Sequence, residues 1–366
     1  MKGQWIGNTQ GDFEGRIIVN IDDLGKNYGG VAFLLPDKKG FPASAGYFKT
    51  TDKKTKTTCK SFVAPIDPRN SLPTVWENIQ HLFPGVAHSN EATVEIRFEK
   101  NKLHLKVKTN LGANVESNIT RKPFTTTSDI KGDRKSWEEY KAFVSKLAGH
   151  NNIFRGQRKP WKLKTAFHRR GRYDLTRFLN DDLSLLYRHL SARTSHVFNL
   201  QIPNENGAFL NLVQHHGYPT PLLDWTYSPY VAAFFAFREV VKTEKTAGDV
   251  RVYIFDQENW RSHWSQLIML NAPYLHLSMM EFLAIENERL IPQQSATTVT
   301  NIDDIESYVK DKEALKQCTY LTAIDIPVSE RNRVMQELSF MGITAGSMFP
   351  GLDGACEELT EKMFDQ

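Results

Sequence analysis

The chain is predicted to be α+β in two unlike parts: an antiparallel β barrel or sandwich over residues 1–122, then a mixed α+β unit over 136–366, with a polar stretch at 123–135 between them. Three observations carry this. In the first third, apolar and polar residues alternate at period two, as in strands with one buried face. At Ser136 a capping-box pattern opens a run with helical spacing. Between 214 and 229, helix-stopping, extended and helix-starting residues follow one another within sixteen positions.

In the first part, Ile17, Val19 and Ile21 alternate with polar neighbours, as do Val31, Phe33 and Leu35, then Val94, Ile96 and Phe98, then Leu103, Leu105 and Val107. Glu99-Lys100-Asn101-Lys102 joins the last two runs as a hairpin. Gly7, Gly11, Gly15, Gly25, Gly29 and Gly30 punctuate the beginning. Short strands and frequent turns of this kind close into a barrel or pack as a sandwich. No catalytic constellation lies here. The part reads either as a structural or partner-binding module, or as a sensor that binds a ligand or protein and restrains the other part.

The second part opens with Ser136 as N-cap and Glu139 at the third helical position, followed by Trp137, Tyr140, Phe143, Val144 and Leu147 at helical spacing. A short strand then carries Phe154-Arg155-Gly156-Gln157. A helix is expected around 181–190, with Leu183, Leu186, Tyr187 and Leu190 on one face. The next helix carries Leu210, Leu212 and Val213, ends at His216, and has Gly217 in the position that favours a left-handed backbone. Pro219 and Pro221 force extended backbone around Thr220, and Leu222 and Leu223 enter a strand. Ser228 caps and Pro229 begins a helix running from Tyr230 to about Val241, apolar nearly all round and therefore buried. Strands are expected near 250–255, 297–302 and 321–326, and Ser329 is expected to cap a helix that stops at Gly342.

Composition is globular: 40% apolar and 24% charged, with a net charge of +4. The three cysteines, Cys59, Cys318 and Cys356, show neither disulfide nor metal spacing. There is no apolar run of about 18 residues and no signal-peptide core at Met1-Lys2-Gly3-Gln4-Trp5, so a cytoplasmic protein that does not engage the membrane is expected. Between Arg155 and Arg193, eleven Lys/Arg stand against three Asp, an excess of eight positive charges. Such a stripe holds the phosphates of a dinucleotide or of a nucleic-acid strand, or is a solvated surface.

Four motifs run in order along the second part. They are Phe154-Arg155-Gly156-Gln157; the run from Gln214-His215 through Gly217, Pro219-Thr220 and Leu222-Leu223-Asp224-Trp225-Thr226 to Ser228-Pro229; Arg289 with Gln293; and Phe349-Pro350-Gly351-Leu352-Asp353-Gly354. Together they resemble the FRG domain family, over about 152–359. Pro221 stands where that family usually has Arg, and Ser295 and Thr297 where Gly and Phe are usual; Arg158, Arg169 or Arg170 are candidates to replace the missing charge. The aromatic-Arg-Gly and the strand feeding a Val-Ala and Phe-Ala helix also resemble Arg-Ser-Glu-type ADP-ribosyltransferases.

That resemblance implies an ADP-ribosyltransferase-like fold and NAD as substrate. Arg155 is expected on the NAD pyrophosphate, with Gly156, Gln157 and Arg289 also among the NAD-binding residues; Thr226 and Ser228 brace the site and the nicotinamide ribose; Trp225 or Tyr227 stacks on the nicotinamide ring. Apart from the resemblance, Arg155 reads equally as a structural ion pair. Gln293 stands where those enzymes have Glu, and it carries no charge for a developing cation. The carboxylate falls to Glu286 or Glu288, otherwise a solvated helix end, or to Asp224, otherwise a turn-bracing acceptor. His215 is a general base, an orienter or a core histidine. His215 and His216 point about 100° apart on a helix, so no metal is expected. The function expected is an NAD-dependent ADP-ribosyltransferase-like enzyme, in a toxin or antiphage effector, modifying nucleic acid or protein, with an unidentified trigger acting on the first part. The alternatives are a noncatalytic nucleotide- or nucleic-acid-binding module and a metal-dependent nuclease or base-modifying enzyme using Asp224.

Overall fold

The computed structural model describes residues 1–147, 149–240 and 248–364. Eight strands form a closed antiparallel barrel: β1 (Gly3–Gly11), β2 (Gly15–Asp23), β3 (Tyr28–Pro36), β4 (Ser44–Lys49), β5 (Lys56–Pro65), β6 (Glu91–Glu99), β7 (Lys102–Thr109) and β8 (Asn114–Thr120). Each pairs with the next, and Thr9↔Ser117 belongs to the ladder that closes β1 on β8. Closure settles the choice between barrel and sandwich and leaves no free edge. The β6–β7 hairpin is where the sequence places it, with Glu99 opposite Lys102.

Two barrel strands depart from the one-buried-face expectation. On β2, Ile17, Val19 and Ile21 face the interior, but Ile18 on the outer face is buried as well. On β3 the phase is reversed: Ala32 packs with the interior set, while Val31 and Phe33 face outward against Ile66, with Leu275 of the second unit beside them. The long β5–β6 connection and the second unit cover this side, so alternation there marks two buried faces rather than one.

The second sheet contains β9 (Asp133–Arg134), β10 (Asn152–Gln157), β11 (Leu222–Thr226), β12 (Asp249–Asp256), β13 (Leu277–Met280), β14 (Ser295–Thr300) and β15 (Leu321–Pro327). Their spatial order is β13-β14-β11-β10-β12-β15-β9, antiparallel throughout except for β9 beside β15. Helices cover both faces. Trp137–Val144, Pro229–Phe237 and Arg331–Phe340 pack on one, over Phe154, Val252, Ile254 and Ile326. Trp260 of Gln257–His263 and Ile305 of Ile305–Lys316 pack on the other, against Tyr253, Trp225 and Tyr320. Leu183–Leu190 and Pro203–His215 flank Leu222 and Val299.

Pro229–Phe237 is the central helix. Phe234 and Phe237 are fully buried, each contributing on the order of 1.5–3 kcal/mol. Ser228 caps it, its Oγ accepting from Val231 N at 3.3 Å. The helix stops at Phe237 with Arg238 as its C-cap, and residues 239–240 are not helical, so it is shorter than the expected run to about Val241, a residue outside the described ones. The capping box at Ser136 is formed. Ser329 does not cap Arg331–Phe340; it lies in the tight turn Val328–Glu330 that leads in.

The polar stretch before the second unit is stitched down rather than free. Its β9 pairs with β15, and buried Glu306 accepts from Ser128 Oγ (2.9 Å), Asp129 N (3.1 Å) and Leu163 N (2.8 Å). Polar contacts at Gln4 and at Asp22 join barrel and second unit. Gln4 Nε2 donates to Asn301 O (2.7 Å), and Asp303 N donates back to Gln4 Oε1 (3.1 Å). Asp22, fully buried, accepts from Arg172 Nε (2.6 Å) and Tyr173 N (2.6 Å). Among the described residues no helix is long and apolar enough to cross a membrane.

Candidate functional site

β10 and β11 are neighbours in the sheet but share one paired position, Phe154↔Thr226. Beyond it they part, and the gap is the floor of a cleft of about 1560 Å³ that extends to the barrel, where Lys2, Gln4 and Arg16 line it. Arg155 lies at the parting. Its NH1 donates to the backbone carbonyl of Asp224 at 2.6 Å, replacing a ladder bond with a side chain. Among the described residues no carboxylate forms an ion pair with it, and its buried Nε has no partner. Burial, helped by the nearby Arg169 charge, lowers its pKa to about 10, so it stays protonated near neutral pH. A desolvated guanidinium with spare donors beside a second guanidinium is suited to an anion with two charged groups.

The motif from Gln214 to Asp224 fixes the opposite wall. Gly217 has a φ of +85°, in the left-handed region, and ends Pro203–His215. The chain can then turn back so that Thr220, fully buried, donates to Gln214 Oε1 while Gln214 Nε2 donates to Asp224 Oδ1. The Asp224 carboxylate is therefore oriented by a relay of side chains, one oxygen held.

Gly156 serves packing rather than ligand approach. A Cβ there would lie 1.8 Å from Ala232 O and 2.7 Å from Ala236 N, so its bare backbone admits the Pro229–Phe237 helix.

Of the residues singled out in the sequence, Arg155, Gly156, Gln157, His215, Asp224, Trp225, Thr226, Arg289 and Gln293 all line this one cleft. Thr226 Oγ1 donates to Gln293 O (2.7 Å) and accepts from Ser228 N (3.0 Å), tying two motifs together. Gln293 Nε2 is committed to Met348 O (2.8 Å). Arg289 NH1 donates to His215 O (2.7 Å), and Asn287 Nδ2 lies 2.6 Å from His215 Nδ1. Ser228 and Glu288 are not in the lining. Ser228 is spent on its cap. Glu286 and Glu288 are exposed, and Glu286 accepts from His196 N, facing away from the cleft. Trp225 borders the cleft, but its indole is buried beside Phe255 and donates to Thr298 Oγ1 (3.0 Å), which removes it as a stacking face. Tyr227 is not in the lining.

Phe349, Phe235, His168 and Glu239 are among the lining residues that carried no assigned role in the sequence. Phe349, of the fourth motif, has the Arg238 guanidinium 4.0 Å and the Arg289 guanidinium 5.4 Å from its ring centre. Phe235 meets it edge-on. His168 is buried, with Nδ1 at 2.7 Å from Thr165 Oγ1, Nε2 unpartnered, and a pKa lowered by burial to about 4. Glu239 adds a carboxylate. Phe349, in the fourth motif, and Phe235, in the Phe-Ala of the central helix, had motifs to announce them; His168 and Glu239 had none.

Much of the basic stripe is neutralised where it meets the rest of the molecule: Lys162 pairs with Asp129 and Asp304, Lys164 with Asp303, and Arg172 with Asp22 and Asp182. Arg169, one of the three candidates to replace the missing family charge, has a charge that reaches both Arg155 and Asp224. Among the described residues no group of three or more His, Cys, Asp or Glu is placed to hold a metal ion.

No curated protein and no solved structure matches the chain. A family model described as FRG domain matches residues 150–245, the span that contains Arg155, the Gln214-to-Asp224 relay and the helix packed on Gly156. The second unit therefore contains an FRG domain, with the eight-stranded barrel outside the matched span.

Proposed function

We propose that the cleft binds NAD and that the FRG unit is an ADP-ribosyltransferase-like enzyme. The observation that carries this reading is Arg155, a buried guanidinium without a carboxylate partner among the described residues, set where β10 and β11 part and with the Arg169 charge beside it. Two guanidiniums suit a diphosphate. In the reaction, the bond from nicotinamide nitrogen to ribose C1′ breaks, C1′ gains oxocarbenium character, an acceptor nucleophile bonds to it, and the acceptor proton leaves to a base. Asp224, oriented by Gln214, supplies the negative charge that Gln293 lacks. Phe349 and Phe235 replace Trp225 as apolar surface for a planar ring. The barrel, which contributes to the same cleft, is the regulatory part, and the setting is that of a toxin or antiphage effector acting in the cytoplasm on nucleic acid or protein.

The test is NAD consumption by the full chain, with and without DNA or RNA, followed by mass spectrometry of every component. A mass gain of one ADP-ribose on protein or nucleic acid supports the reading, and Asp224→Asn should abolish it while NAD binding persists. A second reading, a noncatalytic nucleotide- or nucleic-acid-binding module, is favoured by Gln293, whose amide is tied to Met348, and by the outward placement of Glu286 and Glu288. Salt-dependent binding to DNA or RNA with no NAD turnover selects it.

A further inference from the structure

The barrel has a cavity of its own, about 180 Å³, separate from the cleft and lined almost wholly by carbon. It lies at one end of the barrel. The opposite end is filled by large side chains, Trp5, Ile21, Leu103 and Ile119, and that end carries Gln4 and Asp22, the contacts to the FRG unit. At the cavity end five inward positions are small beside larger ones such as Leu34, Val63 and Val107: Ala32 on β3, Ser44 and Gly46 on β4, Ser61 on β5 and Ala92 on β6. An eight-stranded barrel has room for its own side chains or for one small ligand, and close packing is the rule where no ligand is held. Here five neighbouring positions leave the space open. The mouth is rimmed by Phe13, Phe41, Val86 and Leu111, on the connections pointing away from the FRG unit.

We propose that the barrel binds a small apolar molecule through this mouth, about the size of one aromatic ring with a single uncharged polar end. An apolar cavity of roughly 150 Å³ holds benzene and stays dry without it, which sets the size class. The polar end is set by His88 and Ser44. His88 Nε2 lies 3.0 Å from Ser44 Oγ, and the ring is stacked on Trp76 with centroids 5.4 Å apart. Burial lowers the His88 pKa to about 4, so the pair is neutral near pH 7 and fits a hydroxyl or carbonyl better than a carboxylate. The site is independent of the NAD reading: ligand enters at the far end of the barrel, whose other end is anchored to the FRG unit.

The probe is 4-fluorobenzyl alcohol, followed by fluorine NMR on the full chain. Saturable one-to-one binding is expected, weakened at least tenfold by Ala92→Phe, which fills the cavity, and unchanged by Arg155→Ala, which alters only the cleft. Ala32→Leu, on another strand, makes the same test if Ala92→Phe does not fold, as judged by circular dichroism. The probe should raise the Tm of the unaltered protein and not that of a folded filled variant. No saturable binding at millimolar probe, or binding that survives cavity filling and falls with Arg155→Ala, overturns the proposal.

Discussion

The Arg155 guanidinium donates to the Asp224 backbone carbonyl at 2.6 Å across the gap between two strands that share one paired position. The side chain takes the place of a backbone rung, and the rest of its charge is left for something else. In most buried settings such a charge is paired, because leaving it alone is costly.

This gives the first prediction. Arg155→Met should keep the Tm or raise it, since a desolvated charge is removed, while NAD binding weakens. Hydrogen bonds from a charged donor contribute about 1.5–3 kcal/mol, or roughly ten- to hundredfold in Kd. Calorimetry of both proteins checks the two halves together. A variant that binds NAD normally would remove Arg155 from the site.

Gly156→Ala should fail for a different reason. Its Cβ would overlap the Ala232 carbonyl oxygen, and neither backbone has room to retreat. Overpacking of this kind costs about 1–3 kcal/mol, read as a lowered Tm. An unchanged melting curve would mean that the Pro229–Phe237 helix does not sit against β10 as described.

Asp22 holds the two units together from a fully buried position, accepting from Arg172 Nε and from Tyr173 N. Asp22→Ala leaves the Arg172 guanidinium without its strongest partner, a loss of about 3–5 kcal/mol when the pair is buried and less here, because Arg172 is partly exposed and keeps Asp182. The expected readout is faster limited proteolysis within residues 121–135. Asp22→Asn, which keeps one acceptor, should be intermediate.

Acid should weaken the fold before it reaches the ordinary carboxylates. Burial holds the His88, His168 and His276 imidazoles down to about 4. The unfolded chain takes up their protons below about 6.5 and the folded chain does not, so stability present above that pH is lost as pH falls toward 4. Asp174 works the other way: burial raises it to about 6, so its protonation favours the fold over the same range. Three imidazoles against one carboxyl predict a lower Tm at about pH 5 than at about pH 7.5; an equal or higher value would contradict the burial of the histidines.

The sequence announced β2, β6 and β7, where inward residues are large and apolar, and β3 through its outward face, where Val31 and Phe33 are buried as well. It was silent on β5, whose inward residues include Thr57, Cys59 and Ser61, because small polar residues erase the alternation. The helix Ile305–Lys316 was invisible for a similar reason: Ile305, Glu306 and Val309 are its buried residues, too few for a stripe. The site was legible where spacing dictated backbone, as from Gln214 through Gly217 and Thr220 to Asp224. It was not legible where tertiary placement decides exposure. Trp225 and Asp224 are adjacent in sequence, but strand pleating sends the indole toward Phe255 and leaves the carboxylate in the cleft. Glu239 and His168 come from segments with no motif at all.

The meagre pairing of β10 with β11 has one more consequence. The sheet is two leaves, β13-β14-β11 and β10-β12-β15-β9, hinged at Phe154 and Thr226. Whatever enters the gap grips both leaves at once and acts as a clasp. Loading the cleft should then slow amide exchange along both strand edges together, even at positions the ligand never touches.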